Sequence, residues 1–328
     1  MSPTAIKNRA YFPGLDVLKY VLAILIVAAH CQFLKELPKP LYLCIGIFEG
    51  FAVPTFFAVS AFIFCSKIDK PGILKHTLKR IVRIFGVWYV LMFPVAYYTF
   101  IRHCNIKELL FAIALSCTFQ SYWFFKALFI NISMLYFSIK WKKCLFYVGL
   151  TGGALIFLGW NYNKLLHFFE PSFSAYFAFF YHIGAVFIGA LCYKLYERNA
   201  LKRLSPAALL LMLAVGVALS MAYMQEVYCV VQLIIPLILI PLFLQLRITD
   251  EHRCKRLREL SILYFAMQFF FMWLYGFTLK TVAPQYPWLL SVMDISLVKF
   301  AAIMGPVYVL SNIVLKYEPR YPFLKYLH

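Results

Sequence analysis

His30 lies in VLAILIVAAHCQFL, residues 21–34, a run that is otherwise almost pure hydrocarbon. Ionisable side chains within such runs are costly and are functional candidates by default. On a helix, His30 stands about 21 Å beyond Asp16 and about three turns beyond Lys19, on the same face as Lys19. Asp16 and Lys19, three residues apart, can pair. A neutral imidazole can take a proton from a hydroxyl and so act as a general base. It can equally serve as a histidine hydrogen-bonded to a backbone carbonyl between helices, and spacing alone leaves both readings open. Cys31 is turned about 100° from His30, which makes it a poor nucleophile partner.

A second constellation is basic. In LKHTLKRIVRIFG, residues 74–86, Arg80 and Arg83 are three apart and share a helix side, with Lys75 and Lys79 extending the patch. Guanidinium forks suit phosphate oxygens. The same residues also fit plain anchoring at a cytoplasmic membrane face. Glu49, Gln120, Lys126, His182 and Asp294 gather toward the opposite side and could line an acceptor pocket. No P-loop, HExxH, GxSxG or dinucleotide-binding glycine pattern is present, and no cysteine spacing suggests zinc or a disulfide frame.

These residues need a membrane protein to hold them. Of 328 residues, 63% are hydrophobic and only 14% charged, well away from soluble composition. Apolar runs lie at 16–35, 42–66, 81–101, 122–139, 144–160, 174–196, 207–224, 228–247, 260–280 and 289–315. The run at 109–119 is too short to span. The first run reads as a retained helix rather than a signal peptide. With the N-terminus inside, 24 of the 32 lysines and arginines fall on inner segments and 6 on outer ones. The asymmetry predicts an all-α, polytopic membrane protein of about ten transmembrane helices, with both termini cytoplasmic. The chain, 1–328, then forms a single transmembrane domain. The net charge of +19 belongs to that topology rather than to nucleic acid.

The order of motifs resembles the membrane-bound acyltransferase 3 family. Gly-Leu-Asp16-Val-Leu-Lys19 followed by His30 is similar to its opening helix. Pro54-Thr-Phe56-Phe57-Ala-Val-Ser60-Ala61 resembles its proline, Phe-Phe and Ser-Gly stretch. Lys79-Arg80-Ile-Val-Arg83 resembles its arginine motif, Trp123-Phe-Phe-Lys126-Ala-Leu its Trp-Phe segment, and Ser261-Ile-Leu-Tyr264 its late Ser-x-x-Tyr region. The sequence departs from the pattern at Lys19, where arginine is usual, at Ala61, where glycine is usual, and at Met267, where histidine often follows the late tyrosine.

The resemblance implies a membrane O-acyltransferase of a bacterial inner membrane. Its acyl donor would be acyl-CoA, commonly acetyl-CoA, with no metal. Its acceptor would be a hydroxyl of a cell-envelope or exported glycan or glycolipid. His30 is then the catalytic base, Arg80 and Arg83 serve the acyl-CoA, and we assign Trp123 and Lys126 to substrate binding. An extended pantetheine arm reaches about 15–20 Å by peptide-like spacing, enough to carry a thioester from a cytoplasmic arginine patch toward His30. The alternative is a glycan transporter of the same superfamily that needs no acyl-CoA.

Overall fold

The computed structural model describes residues 11–99, 105, 123–141, 143–161, 182–222 and 228–328. The 109–119 run and Gln120 lie outside them. Among the described residues the chain is helical and has no strand. The helices are α1 (Pro13–Cys31), α2 (Lys39–Gly50), α3 (Ala52–Cys65), α4 (Ile73–Thr99), α5 (Trp123–Trp141) and α6 (Lys143–Asn161). They continue with α7 (Ile183–Glu197), α8 (Pro206–Ala222), α9 (Tyr228–Leu244), α10 (Glu251–Thr281), α11 (Pro287–Met293) and α12 (Ser296–Tyr317).

Five segments are long and apolar enough to cross a membrane: Pro13–Cys31, Lys39–Cys65, Ile73–Tyr98, Glu251–Gln285 and Ser296–Tyr317. Shorter apolar helices cover Cys144–Ile156, Pro206–Ala222 and Val230–Leu244. Large apolar side chains point outward, among them Leu211 at 66% exposure on α8 and Val90 at 71% on α4. In water that surface would be a liability; against lipid tails it is neutral.

Several boundaries differ from the apolar runs, each for a local reason. The 42–66 run is two helices with a break at Phe51. Pro54 has no N–H to give to the carbonyl four residues back, so the ladder fails at that turn. The 260–280 run is the apolar part of a 31-residue helix, α10. That helix starts where Asp250 Oδ1 accepts from the Arg253 N–H at 2.8 Å, a side-chain N-cap. The 289–315 run splits into α11 and α12.

Two packings set the site. α1 lies along α10, joined midway by the Tyr20 and Tyr264 hydroxyls at 3.3 Å. α3 lies along α7 so closely that a Cβ on Gly189 would sit 2.0 Å from the Ala58 carbonyl oxygen. Without a hydrophobic drive between helices in lipid, small residues that let backbones meet supply the dispersion contact. That contact fixes α3, whose Phe56 and Ser60 face the site.

Candidate active site

The four helices α1, α3, α4 and α10 converge with α5 around a cavity of about 510 Å³, within the usual range for small-molecule sites. Lys67, Lys70, His76, Arg80 and Arg258 line one end of it. Polarity falls off in the same direction along two of the helices: from Arg258 to Phe265 on α10 and from Arg80 to Ile84 on α4. The other end is closed by Phe124, Phe125, Leu128 and Phe265. Lys19 is set deeper, its ammonium 5.3 Å from the centre of the Phe56 ring. No acidic side chain lines the cavity among the described residues. Burial pushes the Lys67 ammonium below the ordinary lysine value, and Arg258, Lys70 and Arg80 push it further. A cavity with this crowding of cations favours an anion at its mouth, and its apolar part suits a slender hydrocarbon chain.

Asp16 stands where spacing allows it to pair with Lys19. Its ion-pair partner is Arg258, with Nη1 3.9 Å from Asp16 Oδ2. The carboxylate is buried, and Arg258 reaches from it to the cavity wall.

His30 sits at the opposite end of α1, on its last turn. The helix stops at once: Gln32 is left-handed (φ 54°), and its N–H donates to the Ala29 carbonyl while that of Phe33 donates to Ala28. Leu34 is left-handed as well (φ 59°). Such conformations cost a non-glycine residue roughly 1–2 kcal/mol, and they place an abrupt turn right after the imidazole. The carbonyl of His30 has no partner within its helix and accepts instead from Lys299 Nζ of α12 at 3.2 Å. The imidazole meets the edge of Phe269 at 5.6 Å between ring centres.

An aromatic wall joins the two ends. Phe124 and Phe265 close the cavity at 4.7 Å, Phe265 contacts Phe269 one turn along α10 at 5.8 Å, and Phe269 contacts His30. Lys19 in the cavity and His30 beyond it are separated by eleven residues, about 16 Å of helix rise.

Arg80 lines the cavity; Arg83 does not. The Arg83 guanidinium lies 5.1 Å from the Tyr326 ring centre, in the segment Pro322–Leu327 that also accepts the Trp88 indole N–H at the Leu327 carbonyl (2.9 Å). Trp123 and Lys126 also stay off the cavity lining. Trp123 stacks with His182 at 5.4 Å, and His182 with Phe57 at 4.9 Å; Lys126 lies 5.8 Å from the Phe85 ring centre. Met267, where the family pattern often has histidine, turns to α12, its sulfur accepting from Ser311 Oγ at 3.5 Å. Asp294, expected beside an acceptor, pairs with Lys35 at 3.1 Å. Among the described residues no cluster of His, Cys, Asp and Glu has the make-up of a metal site.

The residues that sequence reasoning passed over are Arg258, Lys67 and Lys70. They were counted as anchoring charge. The available signal was Arg258 standing one turn before the Ser261-x-x-Tyr264 stretch.

Comparison with curated proteins and with solved structures returned no match. Comparison with family models did: the acyltransferase domain model of the acyltransferase 3 family matches residues 12–312. The match spans both ends of the site and nearly the whole chain, and the chain belongs to this family of membrane acyltransferases.

Proposed function

We propose that the protein transfers an acyl group, acetyl in the simplest case, from acyl-CoA to a hydroxyl of a cell-envelope or exported glycan. It would do so in a bacterial inner membrane, with ten spans and both termini in the cytoplasm. The observation that carries this reading is the cavity of basic mouth and apolar floor, joined through the rings of Phe124, Phe265 and Phe269 to His30.

In this reading Arg80, Arg258, Lys67 and Lys70 bind the phosphates of the donor by charge-assisted hydrogen bonds. Arg83 supports them one turn along α4 while holding the Pro322–Leu327 segment. The apolar floor takes the pantetheine arm and excludes water from the thioester. For the reaction the thioester end of the arm must pass the rings of Phe265 and Phe269, and beyond them His30 removes the proton from the acceptor hydroxyl. The freed oxygen forms a bond to the thioester carbonyl carbon, the C–S bond breaks, and the protonated imidazole returns its proton to the departing CoA sulfur. The products are the O-acyl ester and CoA thiol, and His30 is again neutral. Trp123, stacked on His182 and Phe57, shapes the side of the wall where the acceptor would approach, and Lys126 lies one turn away.

The test is acyl transfer and acyl-CoA hydrolysis by purified protein in lipid nanodiscs, together with the masses of envelope glycans from cells with and without the gene. Release of CoA and a lost acyl increment are expected. A glycan exporter would release no CoA and leave acyl masses unchanged, and that outcome would overturn the reading.

A further inference from the structure

Lys299 belongs to an apolar helix near the assumed base, and among the described residues its charge has no counter-ion. Among the described residues, no carboxylate lies within ion-pair distance of it. Two nearby acids are committed elsewhere. Asp294 pairs with Lys35 at 3.1 Å. Glu36 accepts from the Ser296 backbone N–H at 2.7 Å and from its hydroxyl, capping the N-terminus of α12. Those hydrogen bonds hold the Glu36 carboxyl below the ordinary carboxylate range, so it stays ionised in that role. Glu49, on the last turn of α2, is not paired with Lys299 either.

A half-buried cation in a membrane helix is costly. Its place in the first turn of α12 adds to the cost, because the positive end of the helix dipole is there. An ammonium has three donors, and the hydrogen bond to the His30 carbonyl uses one. Two remain, beside the imidazole.

Resting on the acyl-transfer reading, we propose that Lys299 binds an anionic group of the acceptor, a sugar carboxylate or a sugar phosphate, and thereby sets a neighbouring hydroxyl against His30. The acceptor class is thus an acidic glycan rather than a neutral one. The missing counter-ion arrives with the substrate, and discrimination against neutral sugars follows from leaving Lys299 uncompensated when they bind.

The experiment measures binding and transfer separately on purified protein in nanodiscs. Methyl glucuronide, glucose 1-phosphate and methyl glucoside are the probes, and acetyl-CoA is the donor. At least one anionic probe should bind about tenfold more tightly than methyl glucoside, the size of one charge-assisted hydrogen bond. Comparing the two anions tells carboxylate from phosphate. Lys299→Met should erase the preference while leaving acetyl-CoA affinity unchanged, and Lys299→Arg should keep most of it. Equal binding of all three probes by the parent, or an undiminished preference in Lys299→Met, would overturn the proposal. So would an equal slowing of transfer to neutral and anionic probes in Lys299→Met, which marks a purely structural lysine. His30→Gln separates the two claims. It should retain the anion preference without transfer, so a preference found in a parent that releases no CoA contradicts acyl transfer alone.

Discussion

The two ends of α1 solve opposite problems with charge. At the basic end many cations share one cavity and, among the described residues, a single buried carboxylate, Asp16, answers them through Arg258. At the histidine end charges are met one by one: Asp294 is engaged by Lys35 and Glu36 by Ser296. The basic end is therefore redundant, and loss of one cation leaves neighbours to hold the same anion. The histidine end is not, because His30 is one imidazole on one abrupt turn. On the proposed reading, the difference teaches that donor binding would be spread over many side chains while proton transfer would rest on one. Single substitutions should divide along that line.

The largest expected effect is at His30. His30→Ala should slow acyl transfer by about 100- to 10,000-fold, the usual worth of a positioned general base, with protein yield unchanged. Steady-state transfer in nanodiscs checks this. A loss smaller than about tenfold would make the two ends alike.

Arg80→Ala comes next. A charge-assisted hydrogen bond worth about 1.5–3 kcal/mol corresponds to about 10- to 150-fold in donor affinity, and sharing among neighbours places the result near the lower figure. Lysine at this position should restore part of it, since it keeps the charge and loses the fork. Acyl-CoA binding by calorimetry decides.

Arg258→Ala should weaken donor binding by less than Arg80→Ala but also lower thermal stability, because Asp16 is left buried without its partner. The cost should fall below the roughly 3–5 kcal/mol of a tight buried pair, since the separation is 3.9 Å and the Arg258 side chain is one third exposed. Adding Asp16→Asn should recover stability but not affinity. An Arg258→Ala protein as stable as the parent would remove Arg258 from the pairing.

The smallest effect is expected at Arg83, which faces Tyr326 rather than the cavity. Arg83→Ala should change acyl-CoA affinity by less than about threefold, within the range of exposed charge effects. A loss equal to that of Arg80→Ala would show that both guanidinium groups share the anion.

Much of the architecture was readable because hydrophobicity and membrane thickness constrain it directly. His30 and Arg80 stood out because an ionisable group in an apolar run is rare. Arg258 did not, because it lies in a basic stretch where membrane anchoring accounts for any arginine. Its ties to Asp16, 242 residues away in sequence, exist only once α1 and α10 pack. The same holds for Glu36 and Ser296, which meet across 260 residues. Local spacing allowed an Asp16–Lys19 pair, and tertiary packing gave Asp16 Arg258 as its ion-pair partner. Trp123 and Lys126 were chosen from a local segment, and the neighbours that surround them, His182 and Phe85, come from other helices. The break at Phe51 was legible in principle from Pro54, but an apolar run hides a broken helix because both halves are equally apolar.

The central claim is that binding and proton transfer reside at separate ends of α1, and one protein tests it most directly. Glutamine at position 30 keeps hydrogen-bonding capacity but cannot accept a proton at neutral pH. Acetyl-CoA affinity and the rate of acyl transfer are measured on the same His30→Gln preparation. The account predicts an affinity within about twofold of the parent and a rate at least about 100-fold lower. Transfer near the parent rate would contradict it.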